Sequence, residues 1–285
     1  MGSFLRPTEL DAALGALASG GPGGAPWVIV AGATDHYPAR VGRTLVEDVL
    51  DVTAIASLRG VTEVNGGWRI GALTTWTDLV ETPLPPLFDG LKAASLAVGG
   101  LQIQARATVA GNVCNASPAA DGIPNLLALD AEVELSSGSG GRRVPVGGFV
   151  VGNRRTLRAP EELVTGLFVP APIDGTTVRS AFEKLGSRAY LVISIAMVAA
   201  TVEIAADRAI ARARVAVGAC SEVAQRLPSL EAALAGAPAT TESAAIARAE
   251  HLAGLSPIDD VRGTAAYRRE VALELVHRVL RRVLA

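Results

Sequence analysis

Cysteine is nearly absent: Cys114 and Cys220 are the only two among 285 residues. No C-x-x-C pair exists, so this chain by itself cannot build a zinc ribbon, an iron–sulfur cluster or a disulfide scaffold. Histidine is almost as scarce, and His36, His251 and His277 are too scattered to give metal-ligand spacing. Of 26 basic residues only Lys92 and Lys184 are lysine, a bias of composition that makes each lysine conspicuous. The formal net charge of −2 leaves no basic footprint for nucleic acid. The longest apolar run, residues 189–202, is interrupted by Ser194 and Thr201 and is too short to span a bilayer. The first residues show neither a basic n-region followed by an apolar h-region nor the Ser/Thr of a myristoylation motif. The chain therefore reads as soluble and cytoplasmic.

Aromatic residues are only 4% of the chain, but hydrophobic residues reach 49% and charged ones 19%. That excludes global disorder and implies a sizeable core built from Ala, Val, Leu and Ile. The length suggests two domains.

Thr8 is placed to cap a helix whose apolar face is Leu10, Ala13, Leu14 and Leu17. Residues 27–31 read as a short buried strand and residues 44–52 as another. Residues 61–64 and 68–71 flank Asn65-Gly66-Gly67, the signature of a tight hairpin. Thr74 is placed to cap a helix through about residue 80, and Pro83-Leu-Pro-Pro86 opens another through about residue 97. Residues 99–115 look the least helical of the first half. A short helix over 124–129, a hairpin of 131–135 with 142–145, and a strand over 163–169 follow. Pro170-Ala-Pro-Ile-Asp-Gly175 is the best domain boundary.

Beyond it, residues 178–185, 193–205 and 209–218 read as three long strands of an antiparallel meander. Helices follow over 228–235, 243–253 and 264–284, the last with Val271, Leu275, Val279 and Leu280 in an apolar stripe. The fold class is α+β, with domains over residues 1–172 and 176–285 and no internal repeat.

Two small-residue loops carry the chemistry. The first comprises Ile29, Val30, Ala31, Gly32, Ala33, Thr34, Asp35 and His36, a buried strand ending in a loop. The second comprises Thr108, Val109, Ala110, Gly111 and Asn112, followed by Ser117 and Asp121. Small residues let a backbone approach a ligand, and exposed N–H groups cradle phosphates. Neither loop is a G-x-G-x-x-G or a P-loop, so each alone is also readable as an ordinary turn. Asp121 suits a ribose hydroxyl or, equally, the cap of the next helix.

Taken together, Ala31-Gly-Ala-Thr-Asp35, Arg69-Ile-Gly-Ala-Leu-Thr-Thr75, the second loop, Ala116-Ser-Pro-Ala-Ala-Asp121, Lys184-Leu-Gly-Ser-Arg188 and Asp260-Val-Arg-Gly-Thr-Ala-Ala-Tyr-Arg-Arg269 follow one familiar order. The chain resembles, over nearly its whole length, the FAD-binding medium subunit of the molybdenum hydroxylases, the xanthine dehydrogenase and carbon monoxide dehydrogenase family. The resemblance implies a two-part FAD-binding domain of the vanillyl-alcohol-oxidase (PCMH) type. It implies a C-terminal flavoprotein domain with a three-stranded antiparallel sheet and helices. It implies an FAD-dependent oxidoreductase subunit that binds FAD non-covalently and passes electrons from an iron–sulfur subunit to NAD, oxygen or another acceptor. Substrate would be hydroxylated on a molybdenum-cofactor subunit, in a hetero-oligomer that is a dimer of heterotrimers.

The resemblance also implies site residues. Both loops would hold the pyrophosphate. Asp121 would lie near the ribose or adenine, and Val98 near the flavin or adenine. Val164 and Lys184 would touch the cofactor from the C-terminal side, and Tyr190 would approach the isoalloxazine, although a core tyrosine fits that residue as well. No catalytic acid/base cluster and no metal ligand set is expected. Relatives carry Gly-Gly where this chain has Gly32-Ala33 and Gly-Gly-Asn where it has Ala110-Gly111-Asn112. They carry Arg-Asn at Gln104-Ala105. A flavin-free scaffold of the same fold, and a free-standing flavin oxidase, remain as alternative readings.

Overall fold

The computed structural model describes residues 2–44, 46–189 and 191–285. The first layer is small. Strands β1 (Phe4–Leu5), β2 (Val28–Val30) and β3 (Val49–Asp51) form a parallel sheet in the order β1-β3-β2, with helix α1 (Leu10–Ser19) between β1 and β2. Ala13, Leu14 and Leu17 of α1 bury against Trp27, Leu50 and Ile55, and the Trp27 indole N–H donates to the Ala16 carbonyl at 2.9 Å.

The second layer begins with the hairpin β4 (Val61–Val64) and β5 (Gly67–Gly71). Helices α2 (Trp76–Glu81), α3 (Asp89–Ala97), α4 (Leu101–Gln104), α5 (Val109–Asn115) and α6 (Gly122–Ala128) follow. Strands β6 (Glu132–Ser137) and β7 (Gly140–Pro145), the turn of helix α7 (Val146–Phe149), the small pair β8 (Val150–Gly152) and β9 (Arg155–Thr156), and β10 (Leu163–Pro170) complete it. Its five-stranded sheet has the order β4-β5-β10-β6-β7, antiparallel throughout. Trp76, Phe88, Leu126, Leu135 and Phe149 are fully buried beneath it.

The third layer is the sheet β11 (Thr177–Leu185), β12 (Ala196–Ile204), β13 (Ile210–Gly218) and β14 (Gln225–Arg226), in that order, followed by helices α8 (Pro228–Leu234) and α9 (Ala265–Leu284). Every residue of β12 is buried. The alternation of its side chains explains why: Val198, Ala200 and Val202 share a cluster with Val276, Val279 and Leu280 of α9, whereas Met197 and Ala199 meet Ala94 of α3 and Ala128 of α6. A strand covered on both faces reads as a continuous apolar run.

A charged cluster ties the second layer to the third. The guanidinium of Arg214, only 3% exposed, donates to Asp130 at 2.8 Å and to Glu203 at 2.6 Å, and the Glu203 side chain is wholly buried. Arg226 also holds Asp130, at 2.7 Å, and Glu203 accepts from the Ile173 N–H at 2.8 Å. Burial opposes ionisation of Asp130, but Arg214 and Arg226 outweigh it and hold its carboxyl below the ordinary range.

The long elements lie where periodicity puts them, and the differences are local. Glu9, not Thr8, precedes α1, and no side chain caps it. Of residues 44–52 only Val49–Asp51 is strand; Asp48 turns its carboxylate to the Ser3 and Gly23 N–H groups instead of continuing a ladder, and Leu45 lies outside the described residues. Thr75 caps α2 in a reciprocal pair with Asp78, because the Thr74 hydroxyl is engaged with Gly60. Residues 99–115, expected to be irregular, hold α4 and α5. The three long C-terminal strands gain the short fourth strand β14, and residues 243–253 form two 3₁₀ segments, Thr241–Ile246 and Ala249–Leu252, not one helix. The Asp121 side chain does not cap α6.

Replacing Glu203 by Gln should cost about 3 kcal/mol in urea unfolding, since Arg214 would be left half-paired in the interior. Asp130 contributes stability that is present above its unfolded pKa near 4 and is lost as pH falls through its depressed folded value. Asp130→Asn should therefore flatten the loss of thermal stability seen on acidification relative to wild type.

Candidate functional site

The carboxyl ends of the three parallel strands open onto one cavity of about 460 Å³. Arg6 follows β1, Ala31, Gly32 and Ala33 follow β2, and Asp51 and Thr53 close β3; Arg59, Leu73, Thr75, Arg106 and Thr108 form the opposing wall. Ligands of open parallel sheets settle at such carboxyl ends, where loops rather than strands set the chemistry.

The two loops meet backbone to backbone. A Cβ built on Gly32 would lie 2.0 Å from the Arg106 carbonyl oxygen and 2.9 Å from the Ala107 Cα, so only glycine permits the contact. Ala33 then turns into the left-handed region, at φ +58°, and its carbonyl accepts from the Tyr37 N–H at 3.3 Å. His36 follows with its ring edge-on to Tyr37, centroids 5.1 Å apart. The His36 Nε2 is buried and has no hydrogen-bond partner among the described residues. Burial, then Arg40, lowers the His36 pKa.

Backbone bonds with the start of α2 and the residues before it hold the second loop: the Trp76 N–H donates to the Ala107 carbonyl at 3.2 Å, and the Val109 N–H donates to the Thr74 carbonyl at 3.0 Å. Thr108 caps α5, its hydroxyl accepting from the Gly111 N–H at 2.9 Å. A Cβ on Gly111 would press to 2.7 Å from that hydroxyl. Val109 and Ala110 turn into the core, and Ala110 has ordinary helical backbone, unlike Ala33. The Asn112 side chain accepts from the Gly122 N–H at 3.2 Å, joining the loop to α6. Ser117 makes a local turn with the Ala119 N–H.

A second cluster forms around Asp121. Lys184 donates to its carboxylate at 2.6 Å and Ser194 at 2.6 Å; Lys184 also donates to the Ala97 carbonyl at 3.0 Å and, at 3.4 Å, to that of Val192. Both side chains are more than nine-tenths buried, so Lys184 is not the solvated strand residue that lysine usually is. Burial pushes the Asp121 carboxyl up, against the pull of Lys184 and Ser194. Val98 continues directly from Ala97, at the end of α3. Val164 lies in the core beside a bulge in β10, Ile29 and Val30 lie in β2 paired with β3, Val30 lining the cavity, and Tyr190 lies outside the described residues.

Several residues at these positions have no mark in the sequence. Arg154, itself at φ +55°, reaches from the β8–β9 turn to Asp35 at 2.7 Å and to Asn115 at 3.0 Å, pinning the first loop to the end of α5. Arg59 grips Asp78 through two bonds of 2.9 and 2.8 Å. Burial opposes it, yet Arg59 and Thr75 hold Asp78 below the usual carboxylate range. Among so many arginines none of these stands out by composition.

A wall of small residues, a glycine that a side chain would displace, and an orphaned imidazole nitrogen fit a phosphate-bearing cofactor. The comparisons agree. Residues 1–172 match the family of the FAD binding domain in molybdopterin dehydrogenase, and residues 180–283 match the CO dehydrogenase flavoprotein C-terminal domain. The chain belongs to the FAD-binding medium subunits of the molybdenum hydroxylases; it is an FAD-dependent oxidoreductase subunit. It is similar to the nicotine 6-hydroxylase medium subunit of Paenarthrobacter nicotinovorans, 28% identical with 88% of each chain covered. It is also 28% identical to the carbon monoxide dehydrogenase medium chain of Hydrogenophaga pseudoflava, covering 82% of this chain and 80% of that one. A solved structure of Hydrogenophaga pseudoflava carbon monoxide dehydrogenase, in a form lacking the molybdenum–pyranopterin moiety of its cofactor, superposes with TM-score 0.86 at 27% identity over 99% of this chain and 96% of that one. No helix among the described residues is long and apolar enough to cross a membrane.

Gly32→Ala should separate the loops and cost about 3 kcal/mol of stability, whereas Ala33→Gly, relieving a left-handed alanine, should add about 0.5–1 kcal/mol. Urea denaturation of the two variants checks both signs.

Proposed function

We propose that this chain is the electron-transfer link of a three-part enzyme, carrying electrons from iron–sulfur clusters of a partner chain through FAD to NAD, oxygen or another acceptor. A molybdenum-cofactor subunit would hydroxylate the substrate, and the assembly would be a dimer of heterotrimers. The observation that carries the reading is the contact of Gly32 with Arg106, which sets two small-residue loops on either side of one cavity. The two cysteines of this chain cannot supply the four thiolates of a cluster, which supports placing the clusters elsewhere. Relatives described as medium subunits or medium chains support partner subunits.

When bound, FAD supplies the redox chemistry, and the protein supplies position and electrostatics. The backbone of residues 31–36, with Thr108 and Gly111, would hold the diphosphate. Asn112 and Ser117 would shape the floor between that end and Asp121. Lys184 and Asp121 act as a pair: the ammonium is shared among Asp121 and two carbonyls, so its role is to hold the turn after α3 and residues 192–194, and Val98 and Val164 would border the ring system. Residues 1–172 and 176–285 would then be the cofactor-holding and closing parts.

The purified chain should be yellow and release one FAD per chain on denaturation; a colourless chain that takes up no added FAD overturns the reading. In the complex isolated with its partners, flavin reduced by dithionite should be reoxidised by NAD or by oxygen, and iron should co-purify with the other chains. Lys184→Met should strand Asp121, lower stability by about 3–5 kcal/mol, and weaken FAD binding.

A further inference from the structure

Four charged side chains line the cavity between the loops: Arg6, Arg59, Arg106 and Asp51. Two of the arginines are already committed. Arg59 is locked to Asp78 by two hydrogen bonds, and Arg6 leans on Asp51 at 3.5 Å and Thr53 at 3.2 Å. Arg106 is exposed and has no ion pair or side-chain hydrogen bond among the described residues. Its backbone is fixed all the same. The Arg106 N–H donates to Ile103 at 3.1 Å, and its carbonyl oxygen is the atom against which Gly32 packs. The neighbouring Gln104 is turned inward, donating to the Leu96 and Val98 carbonyls, and Ala105 has no polar side chain. The turn of residues 104–107 thus offers the cavity one unclaimed charge.

We propose that Arg106 selects the dinucleotide form of the flavin, its guanidinium neutralising the diphosphate at the mouth of the cavity. A planar fork of donors suits phosphate oxygens better than a point charge does. The preference it creates is for FAD over flavins with one phosphate or none. The proposal rests on the reading of this cavity as the FAD site.

Flavin removed from the full-length protein allows the test. Dissociation constants for FAD, FMN and riboflavin are measured by fluorescence quenching for wild type, Arg106→Gln and Arg106→Lys, each at about 20 and about 200 mM salt. Arg106→Gln should lose about tenfold or more in FAD affinity, lose part of the salt dependence, and leave riboflavin binding unchanged. Arg106→Lys should fall between. Thermal melts of both variants without flavin should match wild type, since the side chain makes no ion pair or hydrogen bond among the described residues. Unchanged FAD affinity in Arg106→Gln, or equal losses for FAD and riboflavin, overturns the role of Arg106 while leaving the FAD site standing. A wild-type protein that binds none of the three overturns both.

Discussion

The contact between Gly32 and the Arg106–Ala107 backbone is the constraint on which the site depends. It joins the carboxyl end of a parallel sheet to a helix start in another layer, with no side chain between them. Three features of the cavity lie at this junction: Ala33 turns into the left-handed region, Thr108 caps α5, and Arg106 lines the cavity. The strain at Ala33 follows from the same geometry, because the chain must reverse at once after so close an approach. Arg154 closes the opposite side by holding Asp35 against the end of α5, so the first loop is restrained at two points.

The second organising interaction is ionic. Arg214 and Glu203 form a buried pair, extended by Asp130 and Arg226, and Lys184 with Asp121 repeats the device nearer the site. Buried ion pairs are weak evidence for net stability, since desolvation takes back much of the attraction. Their effect here is geometric. Each carboxylate accepts from more than one donor, and the donors to Asp121 and Asp130 come from residues of the third layer.

The elements with strong periodicity are readable from the sequence: α9 from its stripe, β12 from its long, mostly apolar run, the hairpin at Asn65-Gly66, and the end of β10 at Pro170. Helices α4 and α5 are not, because residues 99–115 lack an amphipathic pattern, and the segment between the two helices is held by backbone bonds with Thr74 and Trp76. The two loops were visible as small-residue motifs, and Lys184 stood out against a background of arginine. Its partner Asp121 was visible only as a separate candidate, 63 positions away. Arg106 and Arg154 were hidden by the same bias that exposed Lys184: where arginine is the default cation, no single one attracts notice.

Helix α6 has a consequence for the chain as a whole. Asp121 precedes it and Asp130 follows it, and each is claimed by cations from the C-terminal sheet. The helix works as a dowel driven into both halves. If the chain were cut in the Pro170–Gly175 segment, the N-terminal piece would keep the dowel with a stranded acid at either end and a bare apolar side facing β12 and β13. Two family matches divide the sequence, but the bonds at either end of α6 cross that division.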